Sequence, residues 1–387
     1  MTSNINIKYC KKCIMPFTKP DLAFGSSGIC SGCTAFAKRD EVNWDERAKK
    51  FLSILDTYKK NSTSNYNSIV PCSGGKDSHY QVLKLLELGM NPLCVNASTD
   101  KLSELGRHNL DNIKKLGVDL IEINTDKVLR RKINKFTLET VGDISWAEHL
   151  TIFTIPVKVA VWMKIPLIIW GENPQNENGG PIEKQNEINL NRRWLEEFGG
   201  LLGLRVSDIT NILNIPEEKM TLYTYPTSEE LKKNKINGLF LGQFYFWDGV
   251  SNYEMAKKNG FKEYHKDLGG AIVRYENLDN LQMRIHDYFK YLKYGYDRVT
   301  DWCCWHIRRG RMKREEALKI NLEKSGKFPN TYMDVALDEI LREIDCSKEE
   351  FISICDKFTN KKIFKCNNDR KIIKKTDGSL LINNLDN

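Results

Sequence analysis

From residue 68 onward the chain alternates between two hydrophobic patterns. A short apolar run at 68–72 (SIVPC) reads as a buried strand, and 92–97 (PLCVNA), 119–123 and 166–170 (PLIIW) read as further strands. Between them, apolar positions fall at helical spacing over 77–88, 102–116 and 127–140, and a long apolar helix is expected over 147–164. Gly89 and Gly117 supply two of the helix stops. Strands alternating with helices predict βαβ units. The expected fold class is therefore α/β, a doubly wound and mostly parallel sheet with helices on both faces. Ligands of such sheets bind beyond the carboxyl ends of the strands.

The flanks read differently. Residues 1–35 are rich in cysteine and turn residues, and 36–60 carry Phe36, Val42, Trp44, Ala48, Phe51, Leu52 and Leu55 at roughly helical spacing. The polar stretch 59–67 reads as a linker, 174–187 as a mobile polar loop, and the remainder to about 356 as mainly helical. Three regions follow: 1–62, 63–250 containing the sheet, and 251–387.

Composition narrows the class. With 387 residues, 41% hydrophobic and 28% charged, the chain is an ordinary globular protein rather than a collagen, a rod or a disordered tail. The most apolar stretch, 152–170, is interrupted by Lys158, Lys164, Pro156 and Pro166, so no membrane span is expected. The polar N-terminus offers no secretory signal. A cytoplasmic location follows, in which eleven cysteines suggest metal binding or free thiols rather than disulfides. The net charge is +8, and residues 284–314 hold nine Lys/Arg against three Asp. Such a surplus suits a phosphorylated or nucleic-acid partner, or simply a solvated helix face.

The sharpest motif is Ser73-Gly74-Gly75-Lys76-Asp77-Ser78, between a predicted strand and a predicted helix. Backbone N–H groups and a helix N-terminus bind anions in that geometry. The glycines allow close approach, the serines can donate hydroxyl bonds, Lys76 adds charge, and Asp77 can hold Mg²⁺ or cap the helix. The Walker pattern is absent. A second motif pairs Cys10-x2-Cys13 with Cys30-x2-Cys33. Four thiolates at this spacing can surround a tetrahedral, structural Zn²⁺; a redox pair or an iron–sulfur cluster are the alternatives. Gly28-Ile29-Cys30-Ser31-Gly32 imitates a glutaminase elbow, but no His-x-Glu pair completes a triad and Thr2 follows Met1, so the chain is expected to carry no glutaminase.

Two further segments complete the set. Trp170-Gly171-Glu172-Asn173-Pro174-Gln175 sits at a strand's carboxyl end, where ligand binds or where a plain turn occurs. Residues 286–298 (HDYFKYLKYGYDR), with Ile307-Arg308-Arg309-Gly310-Arg311, interleave aromatics and cations. They could stack a base and pair with phosphates, or form a packed aromatic face with exposed cations. His79 could touch a nucleotide or lie on the helix surface. Cys72 and Cys94 read as core, Cys303 and Cys304 as core or site, and Cys346, Cys355 and Cys366 form no ligand set.

SGGKDS in this context resembles the PP-loop of the ATP pyrophosphatase superfamily. The resemblance implies that ATP is cleaved to AMP and pyrophosphate, with Ser73 to Ser78 on the pyrophosphate and Asn96 to Ser98 near the adenosine. Together YCKKCIMP, SGGKDS, WGENPQ, HDYFKYLKYGYDRVTD and IRRGRMKREE resemble the N-acetyl sugar amidotransferase family over residues 9–364. That implies an enzyme of bacterial surface-polysaccharide or flagellin-glycan pathways that turns a sugar N-acetyl group into an acetamidino group. It implies ATP, Mg²⁺ and structural Zn²⁺, and a separate class I glutaminase supplying ammonia. Lys76 and Asp77 would be catalytic; Gly171, Glu172 and Asn173 would join the ATP site. Lys290, Lys293, Arg298, Arg308 and Arg309 would bind substrate. Residues 302–306 (WCCWH) depart from the smaller or more polar residues usual there, implying a different sugar if they face the site. The rival readings are a PP-loop tRNA-modifying enzyme and a non-catalytic zinc scaffold.

Overall fold

Five short parallel strands, Ser68–Pro71 (β1), Pro92–Ala97 (β2), Asp119–Ile123 (β3), Leu167–Trp170 (β4) and Asn237–Phe240 (β5), form one sheet in the order β3-β2-β1-β4-β5. The computed structural model describes residues 7–61, 64–180, 188, 195, 199–376 and 378–383. The helices are Ser31–Ala37 (α1), Trp44–Asn61 (α2), Lys76–Glu87 (α3), Glu104–Lys114 (α4), Lys127–Val141 (α5), Trp146–Met163 (α6), Pro174–Asn178 (α7), Val206–Ile212 (α8) and Ser228–Lys233 (α9). Gly249–Lys258 (α10), Met283–Tyr294 (α11), Arg298–Arg308 (α12), Arg314–Lys324 (α13), Leu337–Arg342 (α14) and Lys348–Phe358 (α15) follow.

Alternation along the strands explains the layers. Val70, Cys94, Ile169 and Leu239 face Phe51 and Leu55 of α2, Val82 and Leu85 of α3 and Ile113 of α4. Ile69, Leu93, Val95, Ile168 and Phe240 face Ile155, Val159 and Ala160 of α6. A parallel sheet covered on both faces reads as continuous apolar runs, which is why β1, β2 and β4 were legible. The apolar stretch 152–170 is thus α6 and β4 packed into the sheet. No helix among the described residues is long and apolar enough to cross a membrane.

Four expectations need correction. The helix expected over 36–60 is α1 and α2, broken by a 3-10 turn at Lys38–Glu41. The alternation does not end at Asn173, because β5 adds a fifth parallel strand. The 174–187 loop begins as α7, with Asn173 capping through its bond from Gln175 N (3.0 Å); residues 181–187 lie outside the described residues. The boundary expected at 250/251 falls inside α10, which packs against α3.

Candidate active site

The chain leaves β1 for β2 and β3 on one side, then crosses back to β4 on the other. The crevice between β1 and β4 is the topological switch point, where such sheets bind ligand. Ser73 to Ser78 sit there. Gly74 has φ +88°, and a Cβ on it would lie 2.8 Å from the Leu110 backbone of α4. Only glycine meets both conditions. The loop braces itself: Ser73 N donates to Ser78 Oγ (3.1 Å), and Gly75 N donates to Ser73 Oγ (3.3 Å).

A cavity of about 440 Å³ lies over the ends of β1, β2 and β4. Ser73, Ser78, Asn96 and Ser98 line it beside Phe153 and Trp170, whose rings are 5.4 Å apart. Asn96 Nδ2 donates to Cys72 O at 2.7 Å, tying the two strand ends together. A second cavity of about 360 Å³ holds the whole loop, from Ser73 to Ser78, together with Glu172, Glu276 and Arg298.

Lys76 is buried between the carboxylates of Asp77 and Glu276. Burial favours the neutral amine, but those two charges hold the ammonium above the ordinary lysine range. Asp77 Oδ1 also accepts from Asn252 Nδ2 of α10 at 2.8 Å. Beyond Lys76 a third cavity, about 110 Å³, is lined by Trp302, Trp305, His306, Arg309 and Arg311, with Lys76 Nζ 5.9 Å from the Trp302 ring centroid. Glu172 reaches both this cavity and the loop cavity. Burial, and then the charge of Asp77, push its carboxyl up to about 7.

The other expected residues are distributed unevenly. Arg298 lines both cavities around Lys76 and pairs with Asp287 at 3.5 Å. Arg309 lines the small cavity, paired with Glu177 (3.1 Å) and Asp248 (3.0 Å). Lys290 instead pairs with Asp301. Lys293 donates to Gly142 O (3.1 Å) at the end of α5. Arg308 is buried, donating to Glu177 O at 2.7 Å and lying 3.9 Å from Cys30 Sγ. Gly171 accepts from Gly242 N (3.1 Å) and packs on Trp247. His79 neither lines the cavities around the loop nor lies on the surface: it is buried, bonding Gly75 O (3.0 Å) and Asn112 (3.1 Å), and so supports the loop from behind. The basic stretch is not a solvated face. Arg284 bonds Lys327 O, Arg311 chelates Asp248, and Arg314 donates to Cys13 O (3.1 Å).

Glu276, Asn252 and Asp248 were not anticipated, whereas Arg311 belongs to the segment of interleaved aromatics and cations. The first three come from turns and helix ends far along the chain, where no local pattern marks them.

Cys10, Cys13, Cys30 and Cys33 are buried, with their sulfurs within 4.8 Å of one another. A Zn–S bond of about 2.3 Å gives a tetrahedral S···S edge of about 3.8 Å. The Cys13–Cys30 and Cys10–Cys33 separations are 3.8 and 3.9 Å. Cys13 N and Cys30 N point at Cys10 Sγ, and Met15 N at Cys13 Sγ, as knuckles do around a metal thiolate. These residues fit zinc with no open position. Cys303 and Cys304 pack against this cluster, away from the cavity that Trp302 and Trp305 line.

A doubly wound parallel sheet with this loop at its switch point is the architecture that the resemblance to PP-loop proteins implies. Residues 250–377 match the family profile described as "LPS biosynthesis protein WbpG-like, C-terminal domain". That match spans the C-terminal third and supports the resemblance to the N-acetyl sugar amidotransferase family. No curated protein matches the chain. Among solved structures, NMN synthetase from Francisella tularensis is similar at 11% identity and TM-score 0.24, over 50% of this chain and 92% of that one. NH3-dependent NAD synthetase from Campylobacter jejuni subsp. jejuni NCTC 11168, in complex with the nitrate ion, is similar at 13% identity and TM-score 0.29, over 58% and 100%. Likenesses this distant carry no argument about the reaction.

Proposed function

We propose that this protein is an ATP-dependent amidotransferase of lipopolysaccharide or related surface-glycan biosynthesis. It converts a sugar N-acetyl group to an acetamidino group. The observation that carries the reading is the position of Lys76, shared between the loop cavity and the small cavity walled by tryptophan and arginine. A nucleotide and a sugar substrate can meet there.

An amide carbonyl is a poor electrophile, so it must be activated. The acetamido oxygen attacks the α-phosphorus of ATP and pyrophosphate leaves. The product is an O-adenylyl imidate. Ammonia attacks its carbon, a proton is lost, and AMP departs with the original acetyl oxygen. The adenosine occupies the cavity beside Asn96 and Ser98. Loop N–H groups and Lys76 receive the charge that builds on the leaving pyrophosphate. Mg²⁺ brought with ATP supplies further charge neutralisation when bound, and Asp77 is the loop carboxylate placed to hold it. Glu172 is placed to take the proton from the attacking nitrogen. Trp302 and Trp305 offer apolar faces to a sugar ring, and Arg298 and Arg311 line the same cavity, where they can donate further hydrogen bonds to its anionic substituents while paired with Asp287 and Asp248. Ammonia comes from a separate class I glutaminase. O-antigen, capsule and flagellin glycans are the pathways that use such sugars.

The tRNA-modifying reading is less well supported, because the cations of 284–314 are largely engaged with carboxylates and carbonyls inside the fold. The test is AMP and pyrophosphate release with Mg-ATP, ammonium and a panel of N-acetylated nucleotide sugars. A sugar one mass unit lighter, formed one-for-one with AMP, is expected. AMP formed only on addition of tRNA would overturn the assignment.

A further inference from the structure

A second group of potential metal ligands lies beside the loop cavity. Asp143 follows α5, His149 is in the first turn of α6, and His286 is on α11. One nitrogen from each imidazole and a carboxylate oxygen lie within 4.8 Å of one another. His286 Nδ1 is 2.9 Å from Asp143 Oδ1, and His149 Nδ1 is 3.7 Å from Asp143 Oδ2. Ser145 N also donates to Oδ1 (2.8 Å), which fixes the carboxylate and turns Oδ2 toward His149.

Hydrogen bonding alone leaves this cluster incomplete. His149 Nδ1 is buried and has no hydrogen-bond partner. At 3.7 Å the Asp143 oxygen is too far to satisfy it. Gly200, with φ +80°, closes over the same nitrogen: a Cβ there would lie 2.8 Å from it. The nearest cation of α11, Lys293, turns its ammonium to the carbonyls of Val141 and Gly142.

We propose that Asp143, His149 and His286 bind a divalent first-row transition ion, separate from the ion of the four cysteines. Metal–ligand bonds of about 2.0–2.2 Å bring neighbouring donor atoms to about 3–3.5 Å, so metal binding would draw His149 inward toward Asp143. Two imidazoles and one carboxylate suit zinc or ferrous iron rather than magnesium or calcium. Three protein ligands leave an open position, and His149 also lines the cavity that contains Ser73 to Ser78.

The test uses the full chain with zinc in its four-cysteine site, stripped of weaker-bound metal and titrated with Co²⁺. We expect one zinc and one cobalt per chain, with nitrogen and oxygen neighbours and imidazole scattering at the cobalt X-ray absorption edge. His149→Ala and His286→Ala should each weaken cobalt binding by roughly 10-fold or more while retaining zinc, which reports an intact fold. If a variant loses zinc, the wild-type cobalt spectrum decides alone. No cobalt beyond the zinc, cobalt surrounded by sulfur, or binding indifferent to both substitutions would overturn the proposal. The readout is metal content, so it stands or falls independently of the sugar chemistry.

Discussion

Gly74 and Glu172 carry the two sharpest consequences for single residues. Gly74→Ala places a side chain at φ +88° and against the α4 backbone. The strain costs about 1–3 kcal/mol, and displacement of the loop from α4 should reduce AMP formation by about 100-fold or more. Gly75 has an ordinary φ of −68°, and an added Cβ there meets only Ser73 Oγ, at 3.3 Å. Thermal melts should therefore show Gly74→Ala clearly less stable than Gly75→Ala. Equal melting temperatures would contradict the close approach of loop and helix. In the proposed mechanism Glu172 can act as a base only when ionised, and its carboxyl is pushed up to about 7. Turnover at fixed free ammonia should rise as pH increases through about 7 and level off above it. Glu172→Gln should lower turnover by roughly 100-fold or more and remove that dependence. A Glu172→Gln profile that keeps the limb would assign it to another group.

At the scale of elements, the short helix α7 joins the cysteine segment to the site. Ser31 Oγ donates to Gly179 O (2.9 Å), Arg308 donates to Glu177 O, and Glu177 pairs with Arg39 and Arg309. A zinc ion held by the four cysteines would therefore be coupled to the wall of the small cavity. Cys13→Ser should abolish zinc binding and lower the melting temperature by several degrees, since metal binding is folding free energy and each kcal/mol is worth roughly 2–4 °C in a domain of about 150–250 residues and less in a longer chain. Loss of zinc with an unchanged melting temperature would contradict this coupling. Elements also show what the sequence could reveal. Strands β1, β2 and β4 were legible because each is a buried apolar run between helices, and β3, an edge strand with no buried residue, because Leu120, Ile121 and Ile123 fall between two helical patterns. Strand β5 was not: Asn237–Phe240 is four residues long and follows the charged helix α9. The SGGKDS loop and the cysteine pairs were legible because their chemistry is local in the chain. Glu276 and Asn252 were not, because they reach Lys76 and Asp77 only through tertiary packing. Lys290, Lys293 and Arg308 lie on faces of α11 and α12 that turn inward, and a list of charges does not specify which face a helix buries.

For the whole molecule, a net charge of +8 invites a nucleic-acid reading. The fold answers it by directing much of the basic stretch into ion pairs and carbonyls, leaving few free cations there for phosphate contacts. Any tRNA association should therefore be weak, without the steep salt dependence that several released counterions would produce. The central claim is instead the route of one oxygen atom. If the acetamido oxygen attacks the α-phosphorus, that oxygen must leave on AMP. The most direct measurement supplies the N-acetylated nucleotide sugar with oxygen-18 in the acetyl carbonyl, Mg-ATP and ammonium, and reads AMP and sugar by mass spectrometry. The account predicts one oxygen-18 in each AMP and none in the amidine product. Unlabelled AMP formed alongside a modified sugar would contradict it.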